Sequence, residues 1–373
     1  MTATSDAAPV EPNGVIGILG GGQLGRMLAM SAAQLGLRTH IFCPDDACPA
    51  YDVCAEKTVA DYDDVNALEA FANAADVVTY EFENVPARTV EILQNFGADV
   101  FPGSKALAVA QDRLAEKEFI REAGADTAAF YSVDDVASLN EGLKKIGRPA
   151  ILKTRRFGYD GKGQTLISDQ MNDLDLTWEA ANKKAWEEIG ARPAILEAFI
   201  DFTCEISIIG ARSRSGEIAL YDPAENTHRG GILRRSCVPA KVSAETIRTA
   251  QRIASDLLER LDYVGVIGVE FFVKADGSVI VNEFAPRVHN SGHWTQDACA
   301  VSQFEQHVRV VAGWPLGDTA RHTNAVMENL IGDDVKDWRT CLQSRNLCVH
   351  LYGKRKALPG RKMGHVTEIS PLS

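Results

Sequence analysis

A strand, a glycine cluster and a helix follow one another near the start of the chain. From Val15 the sequence reads VIGILGGGQLGRMLAMSAAQLG, an apolar run followed by glycines and by a helical apolar pattern that ends at Gly36. Further apolar strands are predicted at 39–43 and 75–80, with a helix-like stretch rich in Ala and Leu between them. Strands that alternate with helices pair in parallel. We therefore expect a doubly wound parallel sheet here.

The glycines of this segment admit two interpretations. Gly20, Gly22 and Gly25 fit the pattern G-x-G-x-x-G, in which the backbone approaches a phosphate at the positive end of a helix. Asp45 lies where an acid that binds ribose would follow. The same glycines also suit a tight strand-to-helix turn. This segment alone leaves a dinucleotide site and a structural turn both open.

Length, charge and cysteine spacing narrow the class of protein. A chain of 373 residues predicts two or three domains around one active site. The formal net charge of -12 disfavours a nucleic-acid binder, since such proteins neutralise phosphates with clustered Lys and Arg. Eight cysteines form no C-x-x-C pair, which favours buried free thiols over metal ligands or disulfides.

Neither a targeting segment nor a membrane span is predicted. Residues 1–13 contain Asp6 and Glu11 and no basic residue, unlike a signal peptide, and are expected to be a disordered extension. Gly, Pro or a charge interrupts every later apolar run before it could cross a bilayer. We expect a cytoplasmic enzyme without membrane or nucleic-acid partners.

A lysine on a short buried strand precedes a second glycine-rich segment. From Pro149 the sequence reads PAILKTRRFGYDGKGQT, which places Lys153 on the strand and a flexible hairpin-like loop at 158–164. Such a lysine can hold a nucleotide phosphate, and a flap above it can exclude water during phosphoryl transfer. Further on, Glu197 and Glu205 flank a turn and suit contacts to adenosine and ribose. An exposed hairpin with solvated charges is the alternative.

Two acids face each other on a predicted hairpin. From Val266 the sequence reads VIGVEFFVKADGSVIVNEFAPRVHNSGH, two apolar strands about an Asp-Gly turn. Antiparallel pairing about that turn brings Glu270 nearly opposite Glu283, with Asn282 adjacent. Acids between apolar residues are costly without a cation, and carboxylate and amide oxygens are ligands for magnesium. The hairpin therefore predicts a metal site.

Donors for an anion follow the second arm of this hairpin. Arg287, His289, Asn290 and His293 come directly after the strand that carries Glu283. Convergent donors beside a metal site are typical of a catalytic centre.

The order of these motifs resembles the ATP-grasp superfamily. The strings GGGQLGRML, FGYDGKGQ, APRVHNSGHWT and PGRKMGH look like the 5-(carboxyamino)imidazole ribonucleotide synthase family, over nearly the whole chain from Val15. The resemblance implies an α/β fold, α+β overall, in three domains: an N-terminal preATP-grasp domain with a parallel sheet at 14–112, a small central lid domain at 113–200, and a C-terminal domain with an antiparallel sheet and the metal and substrate site at 201–373.

The resemblance also implies roles for individual residues. Contacts to ATP are implied for Arg113, Lys153, Gly158, Tyr159, Asp160, Gly161, Lys162, Gly163, Gln164, Glu197, Ala198, Phe199, Ile200, Glu205, His228, Asn282 and Glu283. Magnesium would be held by Glu270 and Glu283. Contacts to the ribonucleotide are implied for Gln23, Leu24, Glu83, Arg287, Lys354, Arg361 and Lys362. The catalytic residues near bicarbonate would be Arg287, His289, Lys354 and Tyr159.

The reaction implied uses ATP and Mg2+ to carboxylate the exocyclic amine of 5-aminoimidazole ribonucleotide in purine biosynthesis. Bicarbonate would be activated as carboxyphosphate, with ADP and phosphate as by-products, and a homodimer is implied. Competing hypotheses are other ATP-grasp ligases, such as a biotin carboxylase-like enzyme or a formate-dependent glycinamide ribonucleotide transformylase. A nicotinamide oxidoreductase and an inactive nucleotide-binding module also compete. The oxidoreductase leaves the acid hairpin unexplained.

Overall fold

The computed structural model describes residues 8–158, 162–168 and 177–372. The predicted ATP contacts Tyr159, Asp160 and Gly161 lie outside the described residues, as do positions 1–7 of the predicted extension. Three sheets organise the part of the chain that is described, two of four strands and one of nine.

The N-terminal sheet is parallel throughout, with strand order β3-β2-β1-β4. Its strands are β1 Val15–Leu19, β2 Arg38–Phe42, β3 Glu56–Thr58 and β4 Val77–Tyr80. Its helices are α1 Gln23–Gln34, α2 Val65–Ala74, α3 Ala87–Asn95 and α4 Ser104–Ala110. The predicted parallel sheet is confirmed, whereas β3 was not predicted because its sequence EKT carries no apolar pattern.

The start of the described chain packs against the C-terminal region. Val10 is buried, its N–H donates to the carbonyl of Ala312 over 2.8 Å, and its own carbonyl accepts a hydrogen bond from the indole of Trp314. The expectation of disorder throughout 1–13 is therefore wrong for residues 8–13. Burial of one valine and pairing of its backbone groups hold this segment in place.

α5 Arg113–Glu122 links the first sheet to a central antiparallel sheet of order β5-β8-β6-β7. The elements of this region are β5 Phe130–Val133, α6 Val136–Ile146, β6 Ala150–Thr154, β7 Gln164–Ile167, α7 Trp178–Glu188 and β8 Ala194–Ala198. β6 and β7 pair antiparallel, as the predicted hairpin requires, whereas residues 159–161 of the predicted loop lie outside the described residues. Lys153 lies near the end of β6 and is buried.

The third sheet has nine strands, in the order β14-β13-β9-β11-β12-β15-β17-β16, with β10 paired to β9. Its strands are β9 Cys204–Arg212, β10 Ile218–Leu220, β11 Ala224–Arg229, β12 Ile232–Val238, β13 Gly265–Val273, β14 Val279–Ala285, β15 Asn324–Ile331, β16 Leu347–Leu351 and β17 Lys362–Ser370. The accompanying helices are α8 Ala244–Arg260, α9 Thr295–Ala298, α10 Gln303–Val311 and α11 Trp338–Cys341.

The strands of each sheet come from one of the three predicted segments, and the domain boundaries themselves stay predictions. Among the described residues, no helix has both the length and the apolar character needed to span a bilayer. The eight cysteines are free, but only Cys43, Cys48 and Cys299 are buried, so the expectation of buried thiols is wrong for the other five.

Candidate active site

A cavity of about 490 Å³ opens where the three sheets meet. Its lining includes the start of α1, the segment after β4, the first turns of α5, and the β13–β14 hairpin with the turn that follows it. The predicted site residues among the lining are Gln23, Leu24, Glu83, Arg113, Gly158, Glu270, Glu283, Arg287, His289 and Lys362. Residues separated by more than 300 positions are thus brought to one cavity.

The two predicted metal ligands face each other as expected. Glu270 on β13 pairs directly with Glu283 on β14, and a bulge follows that leaves Asn282 without a partner in the register. Bulges commonly re-aim side chains next to active sites. The side-chain oxygen Oδ1 of Asn282 is buried and has no hydrogen-bond partner among the described residues. Two carboxylates and an orphaned amide oxygen fit a hard divalent cation.

The two acids differ in their electrostatic surroundings. Burial raises the pKa of Glu270, and repulsion from Glu283 adds to this, bringing it to about 7. Burial acts in the same direction on Glu283, but Arg113, whose Nη1 lies 2.5 Å from Oε2, outweighs it and holds the pKa at about 2. The nearby His228 and Lys362 lower the pKa of Glu270 too little to offset burial and the repulsion from Glu283. A bound cation would relieve the repulsion between the two carboxylates.

Lys153 forms a buried ion pair with Glu197, which the sequence predicted to contact adenosine. Its Nζ lies 3.0 Å from Oε2 of Glu197, and Nζ of Lys117 lies 3.5 Å from the same oxygen. Burial opposes ionisation of Glu197, but these two lysines lower its pKa to about 2. The other oxygen, Oε1, is buried without a partner among the described residues. The site therefore keeps an acceptor for a ligand amine beside a lysine for a phosphate.

A second acid–base pair lies on the nine-stranded sheet, where Glu205 is on β9 and His228 on β11. Nδ1 of His228 lies 2.7 Å from Oε2 of Glu205. Burial lowers the pKa of His228, but the contact with Glu205 outweighs burial and raises it. Between Glu197 and Glu205 the chain leaves β8 at Ala198, and Phe199 is exposed. These residues lie on the two sheets that the resemblance predicts to enclose ATP.

The carboxylate of Glu81, directly after β4, contacts the glycine-rich loop. The N–H groups of Gly22 and Gly25 donate to Glu81, the latter over 2.6 Å, at the N-terminus of α1. Gly20 has φ +103°, and a side chain at Gly22 would meet Glu81 at 2.6 Å. Glu81 therefore occupies the position that a phosphate takes in a dinucleotide site. This contact favours the structural turn over the dinucleotide hypothesis.

Two of the predicted catalytic residues, Arg287 and His289, also line the cavity. Arg287 pairs with Glu83 through Nε and through Nη2, the latter 3.1 Å from Oε1. Nδ1 of His289 accepts from the N–H of Ser291 over 3.4 Å and lies 2.9 Å from its hydroxyl. Since a backbone N–H can only donate, the imidazole proton is on Nε2, which lies 3.7 Å from Glu270. Burial, with repulsion from Arg287, lowers the pKa of His289 to about 3.

The C-terminal basic residues are only partly brought to the cavity. Lys362 lines it, and its backbone carbonyl accepts a hydrogen bond from Nζ of Lys354 over 2.6 Å, whereas Lys354 is not among the lining residues. Arg361 is exposed, donates to the carbonyl of Lys356 and is not among the lining residues. Lys354, Arg361 and Lys362, which were predicted together as contacts to the ribonucleotide, therefore do not form one cluster at the cavity wall.

Three charged residues of the site were missed in the sequence analysis. Glu81 is the carboxylate at the glycine loop, and Glu116 and Lys117 of α5 are nearly fully buried against β14. The only available signal was the spacing of Arg113, Glu116 and Lys117, which places three charges on one helical face. Such a face is normally solvated, so their burial depends on contacts distant in sequence.

Comparison with known proteins agrees with this geometry. Family profiles match a ribonucleotide synthetase preATP-grasp domain at residues 14–111, an ATP-grasp domain at 118–304 and a phosphoribosylaminoimidazole carboxylase C-terminal domain at 325–371. The N5-carboxyaminoimidazole ribonucleotide synthase of Brucella melitensis is 52% identical over 366 residues, covering 98% of this chain and 99% of that protein.

Solved structures show the same similarity in three dimensions. The N5-carboxyaminoimidazole ribonucleotide synthetase of Thermus thermophilus matches with a TM-score of 0.87 at 44% identity, over 95% of this chain and 93% of that one. The synthase of Aspergillus clavatus, in complex with ADP and 5-aminoimidazole ribonucleotide, matches with a TM-score of 0.88 at 29% identity, over 97% and 95%. The resemblance drawn from the sequence strings is confirmed. The chain belongs to the N5-carboxyaminoimidazole ribonucleotide synthase family of ATP-grasp enzymes.

Proposed function

We propose that this protein carboxylates the exocyclic amine of 5-aminoimidazole ribonucleotide, using ATP and bicarbonate, in purine biosynthesis. The observation that carries the proposal is the direct pairing of Glu270 with Glu283 at a cavity that Arg287 and His289 also line. Membership of the family supports it and does not favour a formate-dependent transformylase. As the resemblance implies, we further propose a cytoplasmic homodimer.

Mg2+ would be held by Glu270 and Glu283, with Asn282 beside them. When bound, the ion supplies neutralisation of charge on the phosphates of ATP. Arg113, already paired with Glu283, is within the same group of charges and can contact a phosphate oxygen. The positive charge of Arg113 and of the ion would thus lie beside the carboxylates of Glu270 and Glu283, which suits transfer of a phosphoryl group between anions.

The nucleotide would lie between the central and C-terminal sheets. Lys153 holds a phosphate, and the orphaned oxygen of Glu197 accepts from the adenine amine. The hinge residues 198–200 contribute their backbone, and Glu205 with His228 reaches the ribose or phosphates. The glycine flap, including Gly158, Lys162, Gly163 and Gln164, closes over these groups. Its exclusion of water protects a labile acyl phosphate.

The chemistry has two transfers. An oxygen of bicarbonate attacks the γ-phosphorus of ATP, ADP leaves, and carboxyphosphate forms. The amine nitrogen then bonds to the carboxyl carbon, phosphate leaves with the carbon–oxygen bonding pair, and the nitrogen loses a proton to give a carbamate. Arg287 orients the carboxyl oxygens, and the Nε2–H of His289 donates to the same anion.

The acceptor ribonucleotide would occupy the part of the cavity nearest the first sheet. Gln23 and Leu24 at the start of α1, Glu83, and Lys362 line this part of the wall. Lys354, whose Nζ contacts the carbonyl of Lys362, adds positive charge for the phosphate of the substrate. This arrangement provides the local basic pocket that an anionic substrate needs on a chain with net charge -12.

The test is release of ADP measured with 5-aminoimidazole ribonucleotide, bicarbonate and ATP, each omitted in turn. The proposal expects turnover only with all three, and none when formate replaces bicarbonate. Turnover with glycinamide ribonucleotide and formate would support the transformylase instead.

A further inference from the structure

β14, which carries Glu283 and Asn282 of the proposed metal site, lies at the edge of the nine-stranded sheet. One side of an edge strand has no neighbouring strand, so its backbone groups need other partners when they are buried. The bulge at Asn282 adds a residue that the pairing with β13 does not accommodate. Glu283 and Phe284 pair with β13 and Val281 is bridged to Thr127, so Asn282 is the residue of this segment that strand pairing leaves unfixed.

α5 supplies the missing partners with two adjacent side chains. Nζ of Lys117 donates to the carbonyl of Asn282, and Oε1 of Glu116 accepts from the N–H of Phe284 over 2.7 Å. Arg113, one turn earlier, donates to the carboxylate of Glu283. We call these three residues, at positions i, i+3 and i+4 of one helix, the α5 clamp.

Two residues of the α5 clamp, Glu116 and Lys117, are buried to an extent that is unusual for ionisable side chains. Glu116 is 2% exposed and Lys117 is 1% exposed. Burying an ionisable side chain costs free energy that apolar residues of similar volume would not incur. A helix that only had to cover the sheet would therefore be served better by leucine and methionine. Glu116 and Lys117 each satisfy a backbone group of β14, and Lys117 also contacts the carboxylate of Glu197.

The N-terminus of α5, the helix that carries the clamp, is hydrogen-bonded to Arg155, which directly follows β6 of the central sheet. Asp112 caps its N-terminus by accepting from the N–H of Leu114 over 3.0 Å. The same carboxylate accepts two hydrogen bonds from the guanidinium of Arg155, at 2.9 and 2.7 Å. The N–H of Arg113 donates to the carbonyl of Arg155 over 2.9 Å. The clamp therefore holds β14 relative to the central sheet, which carries Lys153.

We propose that Glu116 and Lys117 are positioning residues, which fix the backbone at Asn282 and Phe284 and thereby direct the carboxylate of Glu283 and the amide oxygen of Asn282 towards a divalent cation. The inference rests on the proposed function through the assignment of this hairpin to Mg2+. It adds two residues that touch neither the reacting atoms nor the cation. Groups that orient metal ligands in this way commonly change metal affinity by about 10–100-fold when removed.

The test measures the Mg2+ dependence of ADP binding by calorimetry on the full chain, which needs neither bicarbonate nor the ribonucleotide. Glu116→Leu removes the acceptor for Phe284, and Lys117→Met removes the donor to Asn282 at similar length. Each is expected to raise the Mg2+ concentration that gives half of the maximal effect by about tenfold or more. Glu116→Gln keeps a carbonyl acceptor and should stay within about twofold of the wild type.

The controls separate positioning from folding. Glu118→Gln changes an exposed acid of the same helix and should leave the Mg2+ dependence unchanged. Thermal unfolding verifies that each variant is folded, and either Glu116→Leu or Lys117→Met alone is sufficient for the test. Because Lys117 also contacts Glu197, ADP affinity without Mg2+ is measured in parallel and only the additional Mg2+ effect is compared.

Glu283→Gln serves as the reference for the metal site. A weakened Mg2+ dependence in this variant and in the two clamp variants supports the proposal. If Glu283→Gln loses the dependence while Glu116→Leu and Lys117→Met keep it, the clamp is overturned and the metal assignment stands. If Glu283→Gln also keeps it, the metal assignment fails and the clamp with it. A failed carboxylation assay would affect neither result.

Discussion

Arg287 and Glu83 form a two-point ion pair at the cavity, although 204 positions separate them in the chain. The pair joins the segment after β4 to the turn after β14, so the first and third sheets both reach the transfer site. With the bond to the carbonyl of Val288, contacts to described residues use three of the five guanidinium N–H groups. The remaining donors can hold the carboxyl oxygens of bicarbonate.

Arg287→Lys tests whether geometry or charge matters at this position. A lysine keeps the charge but cannot hold Glu83 and a carboxyl group together with a planar fork. We expect carbamate formation to fall by roughly 100-fold, as for a misplacement of about 1 Å, while ATP binds with nearly unchanged affinity. ADP and carbamate are measured side by side. Arg252→Lys, at an exposed position on α8, is the matched control. A normal carbamate rate would leave His289 and Lys354 as the better candidates.

Glu270→Gln should lower turnover and, in the absence of a metal ion, raise the melting temperature. Removing one of two proposed magnesium ligands is expected to lower turnover by about 100-fold or more, since a metal supplies several kcal/mol of stabilisation. In a chelator the same change removes a buried carboxylate that Glu283 repels, so the melting temperature should rise. Both quantities are measured on one preparation. Unchanged magnesium dependence, or a lower melting temperature in chelator, would count against this interpretation of Glu270.

Lys153→Met should weaken nucleotide binding by about tenfold, since a hydrogen bond to a charged group contributes about 1.5 kcal/mol or more. Among the described residues, it also leaves Lys117 as the one cation within 4.0 Å of the carboxylate of Glu197. Titration of ADP by calorimetry gives the affinity. Lys183→Met and Lys184→Met, at exposed positions on α7, are the controls. Equal effects at all three positions would show that the buried strand lysine has no special contact with the phosphates.

Glu81→Ala should destabilise the first sheet by about 1–2 kcal/mol, because the N–H groups of Gly22 and Gly25 lose their acceptor at the start of α1. Urea denaturation gives the change in the free energy of unfolding. The wild type is also titrated with NAD, for which no binding is expected. Binding of NAD at the glycine loop would restore the dinucleotide hypothesis.

Local signals determined which parts of the fold and the site were predictable. The β13–β14 hairpin follows from two apolar runs about an Asp-Gly turn, and the pairing of Glu270 with Glu283 needed only that register. β3 has the sequence EKT, with no apolar residue to indicate a strand. The partners of Lys117 and Glu116 lie 165 and 168 positions away, so nothing local distinguishes these residues from solvated helix charges. The burial of Glu116 and Lys117 depends on contacts distant in sequence, which periodicity does not reveal.

The most direct test of the proposed function uses 13C-labelled bicarbonate with ATP, Mg2+ and 5-aminoimidazole ribonucleotide. Label in the product is followed by NMR while ADP is measured in the same sample. We predict that the label appears in a carbamate on the exocyclic nitrogen, with one ADP released for each carbamate formed. ADP release that does not depend on the ribonucleotide, or a product without label, would contradict the proposed carboxylation.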